Sequence, residues 1–293
     1  MAGLKMTLDA HLIVLQLIIT VKIVLISFAY LGIKLHRPDE YYLTPLRDFL
    51  ERASSNTNIQ IYTRPEHVNR LNTILSRGTI IGLEPETLMA EIWPEPKALE
   101  IYHRLIRNNP SRKNSSQAKY LRLIAVWLGK LAAMRRAFLD GADACFWFDA
   151  GHWVSVLCHH KVSQYAFSLQ NEIDFTGLTD RLADHSLRYG IMGCERLNSR
   201  PSFHMPMSWM HEYIANQNEL KIEGLQFSSG VFLLIHRQYA EKFFDRYSYW
   251  WERLISDGKA GTEENAITLV QWEQQYKMAT YCEWMDHIFH NKC

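Results

Sequence analysis

A run of strand-favouring aromatics that stops at a carboxylate, Ala144-Cys-Phe-Trp-Phe-Asp149, constrains this chain more than any other stretch. Large apolar side chains in an unbroken run predict a strand buried on both faces. Asp149 then stands where that strand leaves the core, with the small residues Ala150 and Gly151 directly after it. In open α/β sheets this edge is where ligands bind. An aspartate there can hold a divalent cation or a sugar hydroxyl, or merely secure the next loop.

The segments before the run alternate in type. Residues 22–30 read as the first strand of a parallel sheet. Leu43, Leu46, Phe49 and Leu50 fall at helical spacing within residues 42–54. Residues 58–62 alternate like a short strand, closed by Thr63-Arg64-Pro65, and Pro65 pushes Arg64 away from helical geometry. A helix over 66–76 and a third strand over 78–83 follow. This β-α-β-α-β order predicts a parallel, doubly wound sheet.

Residues 85–93 and 97–107 look helical, separated by Pro94 and Pro96. Residues 117–139 predict one long helix, with Tyr120, Leu123, Ile124, Trp127, Leu131, Met134 and Phe138 on a single stripe. Lys130 and three arginines fall off that stripe. Downstream, residues 187–193, 225–235 and 278–284 read as strands, and 239–256 as an aromatic-rich helix. Thr262 suits an N-cap for a helix over 263–275. Without repeats or linkers, residues 22–293 read as one domain behind an apolar N-terminal segment, 1–21.

At 293 residues, 47% hydrophobic and 22% charged, the chain can bury a substantial core. A net charge of +1 leaves no global basic field of the kind nucleic acid selects. The 12% aromatic content predicts a thick core first, and ring faces for sugars or bases second. The five cysteines form no C-x-x-C pair and read as reduced thiols, Cys145 as buried filler. Residues 12–32 are long and apolar enough to span a bilayer, but Lys22 lies near their middle, where a charge is costly. A membrane anchor and a buried or surface-lying segment are the two readings, with a cytoplasmic or peripheral location implied.

Three short constellations carry chemistry. Asp149-Ala-Gly-His152 offers an oxygen and an imidazole to a divalent ion, or a carboxylate to a substrate. Ser228-Ser229-Gly230 places small residues inside an apolar strand, marking a close approach to a ligand or to a packed helix. Thr262-Glu-Glu-Asn265 puts acids in the first turn of a helix, where the macrodipole favours them and where a catalytic base is the other use. The thirteen histidines match no compact zinc spacing. No phosphate-binding glycine loop, hydrolase elbow or kinase motif set occurs.

Taken in order, Phe146-Trp-Phe-Asp-Ala150, Phe227-Ser-Ser-Gly-Val-Phe232 and Gly261-Thr-Glu-Glu-Asn265 resemble the motifs of nucleotide-sugar glycosyltransferases of the GT-A architecture. More narrowly, the chain is similar to the HtrL/YibB group of glycosyltransferases, linked to surface polysaccharide and lipopolysaccharide core. In that group a helix bearing a lysine precedes a W-x-D-x-G strand end, as Lys130 precedes Trp147-Phe-Asp-Ala-Gly151 here. The likeness spans about residues 22–285.

The resemblance implies an α/β fold with a GT-A-like, Rossmann-type, mainly parallel sheet flanked by helices. It implies transfer of a hexose from a nucleoside-diphosphate sugar to a glycan or lipid-linked glycan acceptor. Asp149 and Gly151 would meet the donor, Ser229 and Gly230 the sugar, and Glu263 or Glu264 the acceptor hydroxyl as base. Lys130 and Arg37 would contact phosphate or nucleotide, and Asp149 with His152 would hold Mn or Mg. The D-x-D motif of metal-dependent members is absent, because Ala150 and Gly151 follow Asp149. Donor binding through basic groups alone is therefore a second route. A non-catalytic binding or assembly protein on the same fold is the competing class, and a membrane-tethered structural protein a third.

Overall fold

The computed structural model describes residues 22–32, 38–52, 58–92, 117–149, 232–257 and 263–273. Five strands form one sheet: β1 (Ile23–Phe28), β2 (Asn58–Thr63), β3 (Thr79–Gly82), β4 (Ala144–Phe148) and β5 (Phe232–His236). Their spatial order is β3-β2-β1-β4-β5. The first four run parallel, with Leu25 beside Ile59 on one flank and beside Phe146 on the other. β5 closes this flank antiparallel to β4. The expected α/β, mainly parallel sheet flanked by helices is what forms.

β1 is the central strand, and its composition explains why. Val24, Leu25 and Ile26 are fully buried, as a strand covered on both faces requires. Successive side chains alternate between faces. Val24, Ile26 and Phe28 join Cys145, Trp147, Leu233 and Ile235 in one hydrophobic cluster, while Leu25 and Phe146 point to the opposite face.

The helices are α1 (Glu40–Arg52), α2 (Val68–Ile74), α3 (Pro85–Ile92), α4 (Gln117–Leu139), α5 (Arg237–Ser256) and α6 (Glu263–Glu273). The helix expected over 66–76 is shorter: a single 3-10 turn, Pro65–His67, leads into α2, and Leu75 is already extended. α5 buries Phe243, Phe244, Tyr247, Trp250, Trp251, Leu254 and Ile255, recurring every three or four residues. The buried aromatics of α5 are therefore core.

α4 departs from its expected single stripe. Every residue from Leu128 to Met134 is buried, Lys130 included. The helix is enclosed because β1, β4, α3 and α5 all pack on it. Small residues permit this: Ala125, Ala132, Ala133 and Ala137 have essentially no exposed surface. A Cβ at Gly129 would lie 3.3 Å from Leu88 Cβ, so glycine lets α3 pack against α4 without a shift of a few tenths of an ångström.

Among the described residues no helix is long and apolar enough to cross a membrane. The segment 1–21, the helix expected over 97–107, the strands expected over 187–193 and 278–284, and Thr262 lie outside the described residues.

Candidate functional site

The chain passes from β1 to β2 to β3 outward on one side, then returns to place β4 on the other side of β1. The C-terminal ends of β1 and β4 therefore frame the point where the winding reverses. Neighbouring connections leave in opposite directions there, and a crevice opens between them. A cavity of about 60 Å³ lies at this point. That is several times the roughly 10–15 Å³ one water molecule needs.

Each wall comes from a different element. The end of β1 and its loop supply Phe28 and Tyr30, and α1 supplies Tyr42. α4 contributes Trp127 and Lys130, while β4 and the residue after it contribute Trp147 and Asp149. Trp147 and Asp149 share a wall because they are two residues apart on extended chain. Phe28 meets Trp147 edge to face, with ring centroids 4.6 Å apart.

Hydrogen bonds across strand ends hold the β1 loop in place. The Ala29 N–H donates to Tyr62 O at 2.9 Å, and Thr63 Oγ1 donates to Ala29 O at 2.8 Å. The Tyr30 hydroxyl donates to Leu83 O at 2.9 Å, tying this loop to the end of β3. Beyond it the Gly32 N–H donates to Asp39 Oδ1 at 2.9 Å, and Arg70 holds the other Asp39 oxygen at 3.0 Å. Burial, with Glu84 nearby, pushes the Tyr30 phenol well above its ordinary range. The Tyr62 phenol is pushed up to about 12, again chiefly by burial. Both are neutral donors near neutral pH.

The main electrostatic feature is an ion pair. Lys130 Nζ donates to Glu263 Oε1 at 2.5 Å, and the two side chains are only 4% and 6% exposed. The partners are 133 residues apart in sequence, Lys130 within α4 and Glu263 at the start of α6. The same ammonium lies 5.3 Å from the centroid of the Trp147 ring, within cation–π range. The Trp147 indole N–H is buried with no hydrogen-bond partner among the described residues. An unmet buried donor of this kind costs about 1–3 kcal/mol.

Of the site residues expected from sequence, Lys130 and Asp149 meet on this cavity, and Glu263 joins them through Lys130. Asp149 is half-buried immediately after β4. Glu264 lies on α6, while Arg37, Gly151, His152, Ser229 and Gly230 lie outside the described residues. The rings of Tyr30, Tyr42, Trp127 and Trp147 also line the cavity, beyond the site residues that the sequence motifs mark. For Trp147 a signal existed, since alternation puts it on the face of Asp149. Trp127 was hidden by its place on the apolar stripe of α4.

The described residues do not fit the expected Mn or Mg on their own. No group of three His, Cys, Asp or Glu comes together among them. Asp149 is the one carboxylate among the described residues lining the cavity, and a lysine ammonium shares its walls. Such ions take several oxygen ligands. The second ligand expected, His152, lies outside the described residues.

No family model matches this chain, and no curated protein matches it. Among solved structures it is similar to mouse xyloside xylosyltransferase 1 in its apo form, at 11% sequence identity and a TM-score of 0.49, over 93% of each chain.

Proposed function

We propose that this protein is a nucleotide-sugar-dependent glycosyltransferase, moving a hexose from a nucleoside-diphosphate sugar to a glycan acceptor such as lipopolysaccharide core or surface polysaccharide. One observation carries the reading: a ring-lined cavity at the reversal point of the sheet has both Asp149 and Lys130 in its walls. A donor of this class needs hydroxyl acceptors, ring faces and a cation for its diphosphate, and these residues supply all three.

In this reading Asp149 accepts hydrogen bonds from ribose or sugar hydroxyls. Lys130 meets the diphosphate, whose negative charge grows as its bond to the sugar breaks. Ser229, Gly230 and Gly151 line the sugar pocket, and Arg37 is a second contact for phosphate or nucleotide. The acceptor oxygen bonds to the anomeric carbon while the nucleoside diphosphate departs with the electron pair of the broken bond. The acceptor proton goes to a carboxylate in an inverting reaction. Glu263 is occupied by Lys130, so that part falls to Glu264, its neighbour on α6.

Thermal stability measured with UDP-, GDP- and CMP-sugars, each with and without Mn, tests the proposal. A ligand at a hundred times its Kd adds about 2.7 kcal/mol to the folded state, a readily measured rise in Tm. No rise with any donor refutes the reading. A rise that appears only with Mn shifts diphosphate neutralisation to a metal on Asp149 and His152. Asp149→Ala should fold normally and lose transfer; full transfer by that variant removes the role given to Asp149. Donor binding with no transfer to any glycan would favour the non-catalytic class, which the lone carboxylate of the described cavity lining also suits.

A further inference from the structure

We infer that Glu263 is a positioning residue: it holds the Lys130 ammonium in place at the cavity wall, where that ammonium takes the donor diphosphate, a role that rests on the donor reading above. The two ends of the ion pair are not equivalent. Lys130 lines the cavity, whereas Glu263 is not among the described residues that do. Both side chains are almost fully buried, and the ammonium sits against the Trp147 ring.

A carboxylate at 2.5 Å holds the ammonium in one place against the Trp147 ring. Lysine is also a compact point charge, the form in which it commonly meets phosphate.

Stability alone does not account for such a pair. Apolar residues of similar volume are often as stabilising as a buried salt bridge, or more so. A stabilising pair also has no need to place its cation on a cavity. Ligand charge does need it there.

The experiment compares affinity for a nucleoside diphosphate with affinity for the matching nucleoside: UDP with uridine, and GDP with guanosine. Wild type should bind the diphosphate more tightly. In Glu263→Gln and Lys130→Met that advantage should shrink by roughly tenfold or more, the size of a lost charge-assisted hydrogen bond, while nucleoside affinity stays put. A pair that only supports the fold would weaken both ligands alike. Glu263→Asp should restore part of the advantage.

Should the single variants fail to fold, the double variant Lys130→Met/Glu263→Leu leaves no buried charge and provides the same comparison. An undiminished diphosphate advantage in that variant overturns the inference together with the diphosphate role given to Lys130, and leaves donor recognition through Asp149 standing. Wild type that binds neither diphosphates nor nucleosides overturns both.

Discussion

At the edge of the sheet where β1 and β4 begin, Lys22, Asp143 and Arg237 engage one another and the carbonyls that end α4. Lys22 Nζ donates to Asp140 O at 2.9 Å, and Arg237 donates to Ala142 O at 2.7 Å and Phe138 O at 3.2 Å. Asp143 accepts from the Lys22 backbone N–H at 2.9 Å. At the opposite edge, where β1 and β4 end, a lysine and a glutamate are buried together beside a cavity that Asp149 also lines. Residue types are shared, but surroundings differ. The first cluster is partly solvated, and its cations answer the negative end of the α4 dipole, a sufficient structural reason for them. The second has been taken out of water, which is costly. Charge kept at a cost beside a cavity calls for a use; charge on a wet helix end does not.

The sharpest way to break this contrast is to remove one charge from each edge and compare. Lys130→Ala strands a buried carboxylate, and a loss of about 3–5 kcal/mol is expected. Arg237→Ala gives up hydrogen bonds to Phe138 O at the end of α4 and to Ala142 O in the turn after it, together with the partly exposed Asp143 ion pair, for an expected loss of about 1–2 kcal/mol. Urea unfolding of both variants measures the difference. Equal losses would mean that the Lys130 pair is no more buried in practice than the solvated cluster. Nucleotide binding supplies the second axis, because Arg237→Ala should leave it unchanged.

A smaller effect is expected at Gly141, the turn between α4 and β4. Its φ of +91° lies in the left-handed region that side chains disfavour. An added Cβ meets little there, the closest atoms being 3.9 Å away, so backbone strain is the whole cost. Gly141→Ala should lose about 1–2 kcal/mol, with no change in donor affinity once stability is corrected for. A binding defect in that variant would show that the two edges are coupled through β4.

The contrast also explains what could be read from sequence. β1, β4 and α4 were legible because burial on both faces and helical periodicity are local patterns, and Asp140-Gly141 marks the end of α4 without ambiguity. The reversal of the sheet followed from the order of elements. Lys130 was misplaced because a one-stripe reading supposes one buried face, whereas α4 is enclosed by sheet and helices. The contact with Glu263 joins residues 133 apart, and no spacing rule encodes it. For Glu263 the helix dipole already offered an adequate account of an acid in a first turn, which concealed the buried cation it meets.

The smallest predicted effect belongs to His236, at the solvated edge. Its ring is the N-cap of α5, where Nδ1 accepts from the Gln238 N–H at 3.3 Å. Partial burial holds its pKa below the ordinary value of 6.5, against the pull of Asp143 and with the push of Arg237. A depressed pKa means that the unfolded chain binds the proton more readily than the folded one. The stability this residue contributes is therefore fully present above about pH 7.5 and drains away as pH falls through 6.5 toward the folded-state value. Protonation also removes the capping acceptor, because both ring nitrogens then carry hydrogen. Asparagine caps without titrating. Below pH 6.5 the Tm of wild type should consequently fall faster than that of His236→Asn, whereas at pH 8 the two should run close together. Parallel Tm profiles from pH 8 to pH 5 would show that this edge does not sense the proton, leaving its charges with the static helix-end role alone.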